Sequence, residues 1–272
     1  MRVAFLHLIG GASGDMLLSS LLDAGVPLEK LEAALDSLNC SGYRLVVNPA
    51  QRGGLSGTHT RVELKDQGLR IGWEDLVGMV VHSKLPRVIQ EPALRVLERL
   101  REAERRAHRV ARDEADPDLH ELGTLDTLID VVGTVAGLHE LGVVQLYSTP
   151  LPLGTGVVRS GHGLIPAAAP ATIEVISLAK SPVLPPGGGL VGETVTPTGA
   201  AIITTLAQFR SPLLRLERVG YGLGTREEQN VPNALGLWLG EEEINSSVTA
   251  EVTLLETNID DMSPQVFGYV QE

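Results

Sequence analysis

The spacing of apolar and polar positions in the first third of the chain predicts a strand, two helices and two more strands. Residues 3–8 form a short apolar run that is typical of a buried strand, and the leucines that follow recur on one helical face. Pro27 suits the start of the second helix because proline is tolerated in a first helical turn. Strands are expected at 43–48 and 58–64, joined by a turn around Gly53.

The remaining two thirds alternate further helices and strands. A charged stretch at 86–112 has an apolar seam at helical spacing and resembles a helix with a solvated outer face. The Pro- and Gly-rich residues 150–170 predict a long loop, and such loops often carry function. The other expected elements are helices at 126–141 and 196–208 and strands at 143–148, 215–221, 234–239 and 248–256. This order predicts an α/β fold, with α+β as the alternative, in which helices flank a mixed sheet.

Composition narrows the class of protein. The chain has 272 residues, of which 43% are hydrophobic, so it can bury a sizeable core. No apolar run approaches the roughly 18 residues of a membrane span, and the N-terminus does not resemble a signal peptide, so we expect a cytoplasmic protein without a membrane partner. Cys40 is the only cysteine, which excludes an intramolecular disulfide and a thiolate metal cluster. The net charge of −12 argues against nucleic-acid binding.

A glycine-rich turn between the first strand and the first helix is the first candidate site. Gly11, Ser13, Gly14 and Asp15 occupy it, and its backbone N–H groups could approach an anionic ligand closely, with Ser13 capping the helix. The lysine of a phosphate-binding P-loop is absent. Taken alone, the turn is more typical of a capped helix that binds nothing than of a ligand site.

A second candidate site combines acidic residues with an imidazole. If a helix begins near residue 124, Asp126 and Asp130 lie one turn apart on the same face. His120 and Glu121 precede that helix, and the four side chains together suit nickel or magnesium. The alternative is that Asp126 is only a first-turn acid, which the helix dipole favours, and that Asp130 is merely exposed.

Two further segments contain candidate binding residues. His162 stands between two glycines, so its side chain should be accessible to a metal or a proton, although a lone loop histidine is often unremarkable. Thr196, Thr198 and Gly199 flank the start of a predicted helix whose first residue is proline, and its open N-terminus favours a phosphate or a carboxylate.

The order of these segments resembles the LarC family of nickel insertion proteins along nearly the whole chain. The matching motifs are Gly-Ala-Ser-Gly-Asp-Met, His-Glu-Leu-Gly, Gly-His-Gly, Thr-Pro-Thr-Gly-Ala-Ala, Gly-Tyr-Gly-Leu-Gly and Leu-Glu-Thr-Asn-Ile-Asp-Asp-Met. The sequence departs from the family pattern at His7, where an Asp is usual, and at Asp118, where a second His is common. The family's usual histidine-rich tract is also missing near residues 65–73.

The resemblance implies a cyclometallase of the lyase class. Such an enzyme inserts nickel into a pyridinium mononucleotide bearing two thiocarboxylates, and it hydrolyses CTP with Mg²⁺ or Mn²⁺. The product is the nickel-pincer nucleotide cofactor of lactate racemase and related enzymes. The resemblance also implies that residues 1–246 form one large domain with a helical segment near 73–115. Residues 247–272 would then begin a C-terminal CTP-binding domain that is otherwise absent. The expected partner is the chain's own C-terminal domain or a separately made C-terminal chain.

The residues leave rival functions open. The chain could be the N-terminal part of this enzyme, a non-catalytic module that binds nickel or the precursor, or a hydrolase that uses Asp126 and Asp130 around a metal. The sequence leaves homo-oligomer formation open. With a single cysteine, nickel would depend on His120, Glu121 and His162, and the thiocarboxylates of the precursor would supply the sulfur ligands.

Overall fold

The computed structural model describes residues 1–66, 71–110, 114, 116, 124–160, 163–227 and 230–243. Within these residues the helices are α1 Gly14–Asp23, α2 Leu28–Asp36, α3 Trp73–Val81, α4 Arg87–Ala107, α5 Leu125–Glu140, α6 Pro170–Ala179 and α7 Pro197–Leu206. None of these helices is both long enough and apolar enough to cross a membrane.

The strands form one large mixed sheet and two small ones. They are β1 Arg2–Leu8, β2 Tyr43–Arg52, β3 Leu55–Leu64, β4 Gln145–Ser148, β5 Leu151–Pro152, β6 Val157–Ser160, β7 Gly163–Pro166, β8 Val183–Leu184, β9 Ala207–Gln208, β10 Leu214–Leu223 and β11 Ala234–Glu242. Among the described strands, the large sheet has the order β2-β3-β10-β11-β1-β4-β9. β1 pairs parallel to β4 and antiparallel to β11. The predicted mixed sheet with flanking helices is confirmed.

The two faces of β1 pack in different surroundings because side chains alternate along a strand. Ala4, Leu6 and Leu8 join the main aliphatic core with the helices. Val3 and Phe5 face the opposite side and form a small cluster with Tyr147. The main core therefore lies between the sheet and its helices.

Helix α1 packs directly on β10 through two glycines. A Cβ atom at Gly220 would lie 2.2 Å from the Ser20 carbonyl oxygen, and one at Gly222 would lie 1.8 Å from the Met16 carbonyl oxygen. Closely spaced glycines at a strand end often form a bulge or a turn, but Gly220 and Gly222 instead let α1 approach β10 closely. The β-bulge of β10 lies earlier, between Leu216 and Arg218.

Several predicted elements are confirmed, with ends shifted by a few residues. The charged stretch at 86–112 is α4, and the expected helix at 126–141 is α5. The predicted loop at 150–170 was wrong in part, because it contains the antiparallel hairpin of β6 and β7. The expected strand at 248–256 lies outside the described residues.

Candidate active site

Three helix N-termini meet at one cleft of about 220 Å³, which we call the acidic cleft. It is lined by residues at or near the starts of α1, α5 and α7 and by one residue of the loop before α7. The lining residues are Ser13, Gly14, Asp15, Asp126, Thr127, Asp130, Glu193, Thr196, Pro197 and Thr198. Because first-turn N–H groups lack partners within their own helices, the cleft combines carboxylates with backbone donors.

Backbone contacts hold the starts of α1 and α7 side by side. The Ala12 N–H donates to the Thr194 carbonyl over 2.8 Å, and the Thr196 N–H donates to the Ala12 carbonyl over 3.0 Å. Gly199 allows this approach, since a Cβ atom there would lie 2.5 Å from the Ala12 carbonyl oxygen. Two segments far apart in sequence therefore form one wall of the cleft.

The two helix starts are capped differently. The Gly199 N–H donates to the Thr196 hydroxyl over 3.1 Å, so Thr196 caps α7 just before Pro197. Ser13 occupies the N-cap position of α1 but makes no capping hydrogen bond, and its hydroxyl donates to the Asp15 carboxylate instead. The expectation that Ser13 caps α1 was wrong because Asp15 competes for its hydroxyl.

Asp130 is the most buried acid of the acidic cleft. Its side chain is 5% exposed, and its Oδ1 atom has no hydrogen-bond partner among the described residues. Its Oδ2 atom lies against Gly14, where an added Cβ would be only 2.0 Å away. The alternative that Asp130 is merely exposed was therefore wrong. An unpaired buried carboxylate is costly and needs an explanation.

Burial raises the pKa values of the three aspartates, and charge repulsion adds to the increase at Asp126 and Asp130. Burial, with the Asp15 charge as a smaller cause, raises the pKa of Asp126 to about 6. Burial first, then the charges of Asp126 and Asp15, raise the pKa of Asp130 well above its ordinary value. Burial also raises the pKa of Asp15, although hydrogen bonds from Ser13 and Met16 oppose the increase. The cleft thus disfavours three negative charges at once.

His59 on β3 is a neighbour that the sequence interpretation missed. The charge of Asp15 acts to raise the pKa of His59, but burial has the larger effect and lowers it. The His59 Nε2 atom lies 3.2 Å from the Thr225 hydroxyl oxygen. The sequence offers no signal that β3 brings the His59 imidazole near Asp15.

Most of the predicted site residues in the described part of the chain converge on this cleft. Those that line it are Ser13, Gly14, Asp15, Asp126, Asp130, Thr196 and Thr198. Gly11 and Gly199 lie behind its wall, packed against the Thr194 and Ala12 backbones. His120, Glu121 and His162 lie outside the described residues. Asp126 and Asp130, the described residues among those predicted for metal binding, thus share one site with residues predicted for anion binding.

Three lining residues were not predicted as site residues, and they are Thr127, Glu193 and Pro197. Thr127 follows Asp126 on α5 and accompanies it into the cleft, while Glu193 lies on the loop before α7. Arg226 donates hydrogen bonds to the Val191 and Glu193 carbonyls, which ties this loop to the segment after β10. Within the described ranges, no three His, Cys, Asp or Glu side chains form a group that could hold a metal ion.

The comparisons with known proteins agree with the resemblance in sequence. A sequence profile of the family described as nickel insertion protein matches residues 4–272. A relative from Thermomicrobium roseum, named "Putative nickel insertion protein", is 45% identical over 267 residues, which are 97% of this chain and 64% of the relative. A relative of the same name from Dictyoglomus thermophilum is 40% identical over 274 residues, which are 100% of this chain and 69% of the relative. No solved structure matches this chain.

The chain spans slightly less than two thirds of the Thermomicrobium roseum relative. The profile match extends over all but the first three residues of the chain. A match of that extent, together with two relatives at 40% identity or more, shows that the chain belongs to the nickel insertion protein family.

Proposed function

We propose that this chain acts in the biosynthesis of the nickel-pincer nucleotide cofactor as the N-terminal part of a CTP-dependent cyclometallase. Nickel enters as a substrate, two Ni–S bonds and one Ni–C bond form, and the metallated ring carbon loses its proton. One observation carries the proposal: the acidic cleft unites carboxylates, a side-chain type that can bind a metal ion, with helix N-termini that suit the anionic groups of a mononucleotide. The family's link with nickel insertion supports it.

The proposed roles follow from the chemistry of each group. Thr198, Gly14 and the open helix starts around them bind anionic groups of the precursor. His120, Glu121 and His162 supply nitrogen and oxygen ligands for nickel, with Asp126 and Asp130 coordinating the ion directly or orienting His120. Sulfur must come from the thiocarboxylates of the precursor, since the chain has only one cysteine. Weak protein ligands can then release nickel to stronger substrate ligands.

We assign CTP, with its Mg²⁺ or Mn²⁺, to the part of the relatives that this chain does not span. The Thermomicrobium roseum relative aligns with the chain over 64% of its length, so that relative has room for a further domain. In this proposal residues 247–272 begin that domain, and the remainder of it is the partner of residues 1–246. Turnover then requires both parts.

Reconstitution tests the proposal directly. The chain is incubated with precursor, CTP, Mg²⁺ and Ni²⁺, with and without the C-terminal third of the Thermomicrobium roseum relative, and product is followed by mass spectrometry. We expect nickel-containing product only when both parts and CTP are present. CTP-dependent product from residues 1–272 alone would contradict the assignment of CTP to the part of the relatives that this chain does not span. Precursor and nickel binding without product in any mixture would favour a non-catalytic binding module.

A double variant tests the nickel ligands. His120→Ala/His162→Ala should weaken nickel affinity, measured by calorimetry, and slow insertion by the reconstituted enzyme, because two imidazole ligands are removed. His82→Ala/His139→Ala is the matched control, since both of these histidines are exposed on other parts of the fold. Unchanged nickel affinity and insertion in the first double variant would refute the assignment of these two histidines.

A further inference from the structure

The described residues that line the acidic cleft include four acidic side chains and no basic one. Asp15, Asp126 and Asp130 line it together with Glu193, and no Lys or Arg is among the described lining residues. A hydrogen bond from Ser13 satisfies Asp15 in part. Asp130 is different, because its Oδ1 atom is buried and has no partner among the described residues. A cation brought by a ligand would satisfy that oxygen.

The same cleft also has features that attract an anion. The N-termini of α1 and α7 lie side by side there, and the positive ends of both helix dipoles point to it. Ser13 makes no capping hydrogen bond at the start of α1, although the Asp15 carboxylate accepts one from the Met16 N–H. An anion alone would nevertheless meet the aspartates at close range and be repelled. The helix starts therefore favour a negatively charged group, whereas the carboxylates favour a positively charged one.

A metal ion bound to a phosphate group would place an anion at the helix starts and a cation at the carboxylates. Mg²⁺ is commonly held by one or two carboxylates, several waters and substrate phosphate oxygens, and it rarely occupies a cage made only of protein ligands. Asp126 and Asp130 supply two carboxylates at the cleft, and the phosphate and waters would complete the shell of the cation. The cleft volume of about 220 Å³ exceeds the roughly 30 Å³ of a water several times, so phosphate and waters fit.

We propose that the acidic cleft binds a phosphate group and a hard divalent cation such as Mg²⁺ as one unit, with Asp126 and Asp130 on the cation and the starts of α1 and α7 on the phosphate. This inference rests on the proposed function in so far as the phosphate belongs to the precursor mononucleotide. It replaces the nickel role proposed above for the two aspartates with an oxygen-only site and leaves nickel to His120, Glu121 and His162, because hard cations prefer carboxylate, phosphate and water oxygens.

Binding measurements on the whole chain test this proposal without turnover. Mn²⁺ serves as the spectroscopic stand-in for Mg²⁺, and its affinity is measured with and without ribose 5-phosphate, while phosphate-ester affinity is measured with Mn²⁺ or with EDTA. We expect each ligand to tighten the binding of the other by the same factor, within the range of about 5- to 150-fold, since coupling is reciprocal. Asp130→Asn and Asp126→Asn should abolish this coupling.

Asp75→Asn is the matched control, because Asp75 is an exposed first-turn acid of α3 outside the acidic cleft. It should leave the coupling unchanged. Replacing ribose 5-phosphate by CTP identifies the source of the phosphate: coupling with the monoester supports the precursor, and coupling with CTP alone supports the nucleotide. Either result supports a joint metal and phosphate site.

Three results would overturn the proposal. These are equal phosphate-ester affinity in Mn²⁺ and in EDTA, coupling that survives in both aspartate variants, or coupling with Ni²⁺ that Mn²⁺ and Mg²⁺ do not reproduce. Because neither CTP hydrolysis nor nickel insertion is measured, such a failure would leave the proposed function intact. Conversely, failed reconstitution with intact coupling would count against the insertion function alone.

Discussion

Two carboxylate sites in this protein differ in whether the chain itself supplies hydrogen-bond partners for the carboxylate oxygens. On one face of the sheet, Glu242 pairs with Arg210 at 2.6 Å and accepts a hydrogen bond from the Tyr147 hydroxyl at 2.8 Å. The Arg210 guanidinium also lies 4.3 Å from the centre of the Tyr147 ring. Hydrogen bonds from Tyr147 and Arg210 lower the pKa of Glu242. In the acidic cleft, burial instead raises the pKa values of Asp126 and Asp130.

The difference separates a structural carboxylate from carboxylates that fit a ligand site. The chain supplies its own cation and hydroxyl at Glu242, so that site is complete without a ligand. In the acidic cleft, the described residues leave an Asp130 oxygen without a partner. Strongly perturbed acids in a cleft are typical of functional sites, where stability is sacrificed for binding or catalysis.

The largest expected effect tests how tightly the cleft is packed. In Gly14→Ala the new Cβ would lie 2.0 Å from the Asp130 Oδ2 atom, so the helix start or the carboxylate must move. We expect the free energy of unfolding, measured in urea, to fall by about 3 kcal/mol. Gly78→Ala is the control, because the nearest atom to its Cβ is 4.0 Å away. That variant should be more stable by about 0.5 kcal/mol, as alanine is the better helix former.

A smaller effect tests whether the aspartates destabilise the ligand-free protein. The raised pKa of about 6 means that folded Asp126 keeps a proton that the unfolded chain releases above pH of about 4. The resulting loss of stability begins near pH of about 4 and is complete above pH of about 6. Asp126→Asn should therefore raise the free energy of unfolding by about 2 kcal/mol at neutral pH and by little at acidic pH. If the gain in the free energy of unfolding of Asp126→Asn grew on acidification, the conclusion that Asp126 destabilises the ligand-free protein at neutral pH would be contradicted.

The smallest effect concerns the complete site at Glu242. Tyr147→Phe removes a hydroxyl on a side chain that is 2% exposed, but Arg210 remains paired with Glu242. We expect a loss of about 1 kcal/mol, seen as a melting temperature lower by about 2–4 °C. Tyr43→Phe is the control, because its hydroxyl makes only an exposed contact of 3.5 Å with Asp36. Equal shifts in both variants would show that the buried hydroxyl adds nothing.

The two sites should also differ in the sign of their pH dependence. A lowered pKa at Glu242 gives a stabilisation that is present above the pKa of the unfolded chain and is lost as the pH falls through the folded pKa. The raised pKa values of the acidic cleft act in the opposite direction. Thermal melts of Asp126→Asn and Tyr147→Phe across acidic and neutral pH should therefore deviate from the unaltered protein in opposite senses.

The sequence by itself determined the features that depend on neighbouring residues. Thr196 and Pro197 specify the start of α7, and Thr124 stands at the N-cap of α5 near the predicted position, because caps and first turns are made by adjacent residues. The one-turn spacing of Asp126 and Asp130 likewise follows from helix geometry. The order of motifs sufficed to indicate the family, and the profile match confirmed it.

Only the tertiary structure decided what these local pieces form together. Packing of α1 on β10 and α5 places Gly14 against the carboxylate of Asp130, and the Ala12 backbone joins the start of α7 to them. The burial that raises the pKa of Asp130 depends on these contacts between distant segments. Spacing along the chain carries no information about such contacts, because solvent exclusion and charge repulsion act through space. One cleft with carboxylates and helix starts is therefore a property of the fold.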